Sequence, residues 1–165
     1  MLDKMIIEEL REFVQLHLSS FQLEDCKSAP NIENSIFEDI QQIELEDFIK
    51  INRKPTLNQV LFSFIDKKGA SDIEIYKKAG IDRKHFSKIR SNLNYHPKKN
   101  TMIALAFALE LNEEDTNELL SSAGYSLSDS ETYDLVIQFC LEKRIYDLHL
   151  VNQALDYFSL KPLIG

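Results

Sequence analysis

Apolar residues recur along most of the chain at three- and four-residue intervals, the spacing of one face of a helix. Ile6, Leu10 and Phe13, with Val14 or His17, predict a first helix from Leu2 to about Leu18, with Glu8, Glu9, Arg11 and Glu12 opposite them. The polar stretch "QLEDCKSAPNIENS", which holds Pro30, has no period and reads as a linker. Ser35 and Glu38 have the spacing of a capping box, in which side chain and backbone satisfy each other's free donors, and so predict a second helix to about Ile49. Pro55 closes it. The same signature recurs at Thr56/Gln59, at Ser71/Glu74 and at Ser128/Glu131, each before an apolar-periodic run. Helices are therefore predicted from Thr56 to Gly69, from Ser71 to Gly80, from Asp82 to about Ser91, and from Ser128 to about Lys143. "TMIALAFALEL" is apolar almost all round and predicts a central buried helix, followed by one capped by Asn112 and stopped by Gly124. A last helix runs from Asp147 to Phe158. No strand alternation competes with these patterns, so the expected fold class is all-α.

Four glycines and four prolines in 165 residues agree with helices rather than tight hairpins. A chain of this length can bury roughly 70% of its unfolded surface and needs no metal or disulfide to fold. Cys26 and Cys140 lack the spacing of a zinc or redox motif and are expected to be buried or idle thiols of a cytoplasmic protein, with a disulfide between them as the alternative. The opening "MLDKMIIEELREF" has no uninterrupted apolar core of a signal peptide, and no stretch reaches the ~18–20 apolar residues of a membrane span. No membrane partner is expected.

The formal charge of −8 argues against a polyanionic partner until its distribution is considered. Residues 1–55 balance at −6 and residues 102–165 at −8, but residues 66–101 hold ten Lys/Arg against four Asp/Glu. Beyond about 8–10 Å salt screens the acidic remainder, so that basic segment decides the local field.

Within it lies "SDIEIYKKAGIDRKHFSKIR", two short helical patterns meeting at Gly80. A helix-turn-helix needs apolar residues at the corner, here Ile75, Ala79, Ile81, Phe86 and Ile89, and a left-handed residue in the turn. The outward face of the second helix then carries Asp82, Arg83, Lys84, Ser87, Lys88 and Ser91, and cations with hydroxyls between them suit phosphate and base-edge contacts. "YHPKKNT" follows as a loop and "IALAFALELNEEDTNELL" as two more helices. In that order these features resemble lambda-repressor-like (Cro-type) helix-turn-helix domains, over about Thr56 to Ser126. Residues from about Leu61 to Gly165 are similar to bacterial helix-turn-helix-like modules that bear "IDRKHFSKIRSN", a "Y-x-P-x-K" loop and "AGYSLS", and that are joined to varied effector domains.

The resemblance implies a helical extension at 1–54, a five-helix lambda-repressor-like core at 55–126, and a C-terminal helical pair at 127–165 packed on that core. It implies a bacterial or phage transcriptional regulator that binds double-stranded DNA through Arg83, Lys84, Ser87, Lys88, Arg90, Ser91, Lys98 and Lys99. Six phosphate contacts from the cations of this set would give a log–log salt slope of about −5. One position departs from the pattern. Tyr76 stands where such domains usually hold a small residue, and its ring must either splay the two helices or turn outward.

The alternative is a protein-interaction or adaptor module that keeps the fold without reading DNA, in regulation or in phage–host conflict. Tyr76 and the acidic flanks favour it, as do the amphipathic N-terminal helices, which suit a protein partner or a second copy of the chain. An acidic inhibitor seated in another protein's DNA groove is a third reading, against which the basic segment counts.

Other chemistry is thin. His17, His85, His96 and His149 have no ligand set around them, so neither a metal nor a cofactor is expected. Tyr95, Tyr125, Tyr133, Tyr146 and Tyr157 lie in different elements and read as helix-packing residues rather than base-stacking platforms. Glu44, Glu46 and Asp47 read as an acidic solvent face, and no nucleophile or phosphate-cradling loop is recognisable. The expected protein is not an enzyme.

Overall fold

The computed structural model describes residues 30–164, and side-chain environments from Gln41 onward. The helix expected at Leu2–Leu18, with His17, and the thiol of Cys26 lie outside the described residues. Eight helices and no strand are present among those described: α1 (Pro30–Asn52), α2 (Leu57–Lys68), α3 (Asp72–Lys78), α4 (Arg83–Ser91), α5 (Lys99–Ala108), α6 (Glu113–Ser122), α7 (Thr132–Glu142) and α8 (Leu148–Tyr157). The fold is all-α. The chain divides into two compact units, 1–52 and 53–165.

In the first unit α1 starts five residues before the expected cap. Pro30 opens it, because proline is pre-set for the first helical position and its missing N–H has no partner to lose there. Ser35 and Glu38 therefore lie inside a helix rather than at its start, and part of the expected linker is helical. From Gln41 to Asn52 every side chain is exposed, the bulky Ile43, Phe48 and Ile51 included.

In the second unit the caps fall where the sequence puts them. Thr56/Gln59 and Ser71/Glu74 form complete capping boxes ahead of α2 and α3. Asp82, Asn112 and Asp147 accept backbone N–H groups at the starts of α4, α6 and α8. The exception is α7. Ser128 does not cap it; its N–H goes instead to the Asp134 carboxylate at 2.8 Å and its hydroxyl meets Ser130, so the helix opens at Thr132 behind Glu131.

The core gathers on α5, where Met102 to Ala108 are all buried. α3 and α6 pack on α5, α2 packs on α6, α4 on α3, and α7 joins α6 to α8. Val60, Leu61, Phe64 and Ile65 supply α2's inward face. The α3–α4 corner turns at Gly80 with φ +64, in the left-handed region that glycine occupies without a Cβ penalty. All five apolar residues expected there, Ile75, Ala79, Ile81, Phe86 and Ile89, are buried. The Tyr76 ring does not turn fully outward: it is half-buried and lies tilted against Phe86 of α4, with centroids 5.8 Å apart.

Among the described residues no helix is long and apolar enough to cross a membrane. Cys140 is a free thiol, buried in α7, and burial raises its pKa.

Candidate nucleic-acid interface

At about 100° per residue, Arg83, Lys84, Ser87, Lys88 and Ser91 fall within an arc of about 140° on α4, and all five are exposed. Phe86 and Ile89 anchor the opposite side in the core. Both flanks of the helix are tied down. On one, the Arg90 guanidinium pairs with Asp72 at the start of α3 and stacks 4.6 Å from the centroid of the Phe62 ring, while its carbonyl accepts the Asn58 amide at 3.3 Å. On the other, His85 Nε2 and the Tyr95 hydroxyl share a hydrogen bond of 2.9 Å. The Tyr95 ring lies under the Lys88 ammonium, 4.3 Å from it. A cation at that distance over an aromatic face is attracted by the ring quadrupole, which favours one outward pose for Lys88.

The loop after α4 is held from behind by the "AGYSLS" segment. The Tyr125 hydroxyl donates to the Pro97 carbonyl at 2.9 Å. Asp134, about 4% exposed, accepts both the Lys99 ammonium at 2.6 Å and the Ser128 N–H. Lys98 is left exposed at the N-cap of α5, with no side-chain hydrogen bond capping the helix.

The eight expected contact residues are not equivalent. Arg83, Lys84, Lys88 and Lys98 have no carboxylate partner among the described residues. Arg90 and Lys99 are committed to Asp72 and Asp134, and neither is the free phosphate cation the sequence suggests. The Ser91 hydroxyl donates to the Ser87 carbonyl at 2.9 Å, which leaves Ser87 as the less encumbered hydroxyl. Sequence spacing gives no sign of these commitments, since Asp72, Phe62 and Asp134 sit in other helices.

Elsewhere in the basic segment, Glu110 takes up two more cations. It meets Lys68 at 3.0 Å and Lys78 at 3.5 Å, and the Lys68 hydrogen bond, with the positive charges beside it, lowers the Glu110 pKa. Tyr157 is not the helix-packing residue the sequence suggests: at 83% exposure its ring packs only edge-on to Phe158. His96 is exposed, His149 shares a hydrogen bond with Gln153, and among the described residues no three His, Cys, Asp or Glu side chains are grouped to hold a metal ion. A shallow depression of about 270 Å³ between α8 and the tail is lined by His149, Asn152, Gln153, Asp156, Leu160 and Pro162, remote in sequence from α4.

No family model matches the chain, nor does any curated protein or solved structure.

Proposed function

We propose that the protein is a DNA-binding regulator of helix-turn-helix type, with α2 to α6 as a lambda-repressor-like core, α3 braced across the backbone and α4 presented to the major groove. The observation that carries this reading is the exposed face of α4. Arg83, Lys84 and Lys88 stand on it without carboxylate partners among the described residues, although the chain as a whole is acidic. Ion pairs consume Lys68, Lys78, Arg90 and Lys99 of the surrounding segment, and of the six cations left over, three share this one helix face while Lys67, Lys77 and Lys98 stand on other elements. Ser87 lies among the three in this row, and an exposed Lys98 stands at the N-cap of α5. Such a row suits a phosphate backbone with base edges beside it. On this reading the protein is a binding protein of the bacterial or phage-infected cytoplasm and not an enzyme.

The test is anisotropy of a labelled random-sequence duplex titrated at several salt concentrations. With up to four free cations, in place of the six counted in the sequence, the log–log slope should be no steeper than about −3.6. Absence of binding at low salt by the folded protein overturns the reading.

A second reading, a protein-docking module, is favoured by a separate observation. The exposed Ile43, Phe48 and Ile51 of α1 lie among Glu44, Glu46 and Asp47, the make-up of a helix that enters another protein's groove. If this is the principal role, Phe48→Ala and Ile51→Ala will abolish partner capture while charge reversal on α4 leaves it intact.

A further inference from the structure

Resting on the assignment of α4 as the reading helix, we infer that its exposed face is built to read guanine–cytosine base pairs. The polar atoms on that face are almost all donors. Arg83 offers five N–H donors and no acceptor, and Lys84 and Lys88 offer three each. Lys88 is held over the Tyr95 ring and the Ser91 hydroxyl is turned to the helix's own carbonyl. Arg83, Lys84 and Ser87, towards the N-terminal end of α4, are left to seek partners.

In the major groove guanine alone presents two neighbouring acceptors, N7 and O6, which arginine or lysine can engage together. Adenine presents an acceptor beside a donor and is read by Asn or Gln; thymine presents a methyl group and is read by an apolar contact. The helix "RKHFSKIRS" contains no Asn or Gln, and its apolar residues Phe86 and Ile89 are buried. Apart from the Ser87 hydroxyl, which suits either kind of pair, no side chain of the exposed face is matched to adenine or thymine.

The one acceptor at the tip carries the argument further. Asp82 is exposed, and its Oδ1 accepts the Lys84 N–H at 3.3 Å as the N-cap. Its other oxygen meets no protein donor among the described residues. Capping alone does not call for a charge here, since Asn and Ser cap as well as Asp. A surface made only to grip phosphate is weakened by a carboxylate at its leading edge. A surface that reads bases can use one, because a carboxylate accepts from the N4 amino group of cytosine, guanine's partner. Donors and acceptor together describe a G·C pair.

The experiment compares anisotropy titrations of alternating dG·dC and alternating dA·dT duplexes of equal length at one salt concentration. A third duplex has 7-deazaguanine in place of guanine, which removes the N7 acceptor and leaves the phosphates unchanged. The expected result is tighter binding of dG·dC than dA·dT by about 5- to 150-fold, most of it lost on the deazaguanine duplex. Arg83→Ala should abolish the preference, and Asp82→Asn, which retains the cap, should reduce it. Circular dichroism of both variants distinguishes lost recognition from lost folding. Equal, salt-sensitive binding of all three duplexes overturns the inference and leaves the DNA-binding reading standing. Failure to bind any duplex at low salt overturns both.

Discussion

Asp134 provides a quantitative test of which lysines belong to the fold and which to the surface. Its carboxylate, about 5% exposed, takes a 2.6 Å bond from Lys99 and a 2.8 Å bond from the Ser128 N–H. Hydrogen bonds to a charged group contribute about 1.5–3 kcal/mol each, and breaking a fully buried ion pair costs about 3–5 kcal/mol. The Lys99 side chain keeps 30% exposure, so its ammonium can be hydrated once orphaned, which places the loss at the lower end. Asp134→Ala should therefore destabilise the protein by about 3 kcal/mol in urea denaturation followed by circular dichroism. Lys99→Met should cost about 2 kcal/mol, because Ser128 still serves the carboxylate, and the double variant should show a coupling of about 1–2 kcal/mol. DNA titrations complete the contrast. Lys98→Ala should lower the salt slope by about 1, whereas Lys99→Met, in the folded protein, should leave it unchanged. Losses below about 0.5 kcal/mol for both single changes would refute the argument, since that is what an ordinary surface position gives. So would a lower salt slope for Lys99→Met.

Three further expectations follow from named contacts. Gly80→Ala should cost about 1–2 kcal/mol from the φ of +64 alone, since the added Cβ would meet Ile164 at an ordinary 3.6 Å; a neutral result in the same denaturation assay would contradict the left-handed corner. The Glu110 pKa is lowered in the fold by the Lys68 hydrogen bond and the positive charges of Lys68 and Lys78, so its contribution is present above the ordinary carboxylate range and is lost as pH falls through the lowered value. Wild type should exceed Glu110→Gln by no more than about 1 kcal/mol at neutral pH after solvent screening, with the difference closing on acidification; a gap that persists in acid would exclude the ion pairs as its source. Burial raises the Cys140 pKa, so in a Cys26→Ser protein a thiol reagent should react slowly until urea opens the fold, and prompt reaction in native buffer would contradict its placement.

The parts of the fold legible in the sequence are those set by short-range chemistry. Thr56, Ser71, Asp82 and Asn112 announce their helices because a cap satisfies donors only two or three residues away. Ile75, Ala79, Ile81, Phe86 and Ile89 announce the corner because helical spacing alone puts them on one side. Where two local signals competed, the sequence misled. Ser35/Glu38 makes a good box, yet Pro30 is a better start and the helix runs through. Ser128/Glu131 makes another, but Asp134 draws Ser128 away. Least legible was the accounting of charge. A run of ten cations looks like a continuous field until long-range partners are known, and Asp72, Glu110 and Asp134 take four of them out of it. Six remain: Lys67 on α2, Lys77 on α3, Lys98 at the start of α5, and Arg83, Lys84 and Lys88 together on the exposed face of α4.

Charge reversal on that surface is the most direct test of the central claim. Arg83→Glu, Lys84→Glu and Lys88→Glu are combined in one protein, and its binding to a labelled random-sequence duplex is compared with wild type by anisotropy at low salt. All three side chains are exposed and outside any ion pair among the described residues, so circular dichroism should show an unchanged fold. The predicted result is salt-sensitive binding by wild type and none by the variant. Equal binding by the two proteins, or none by either, would contradict the assignment of α4 as the DNA-reading helix.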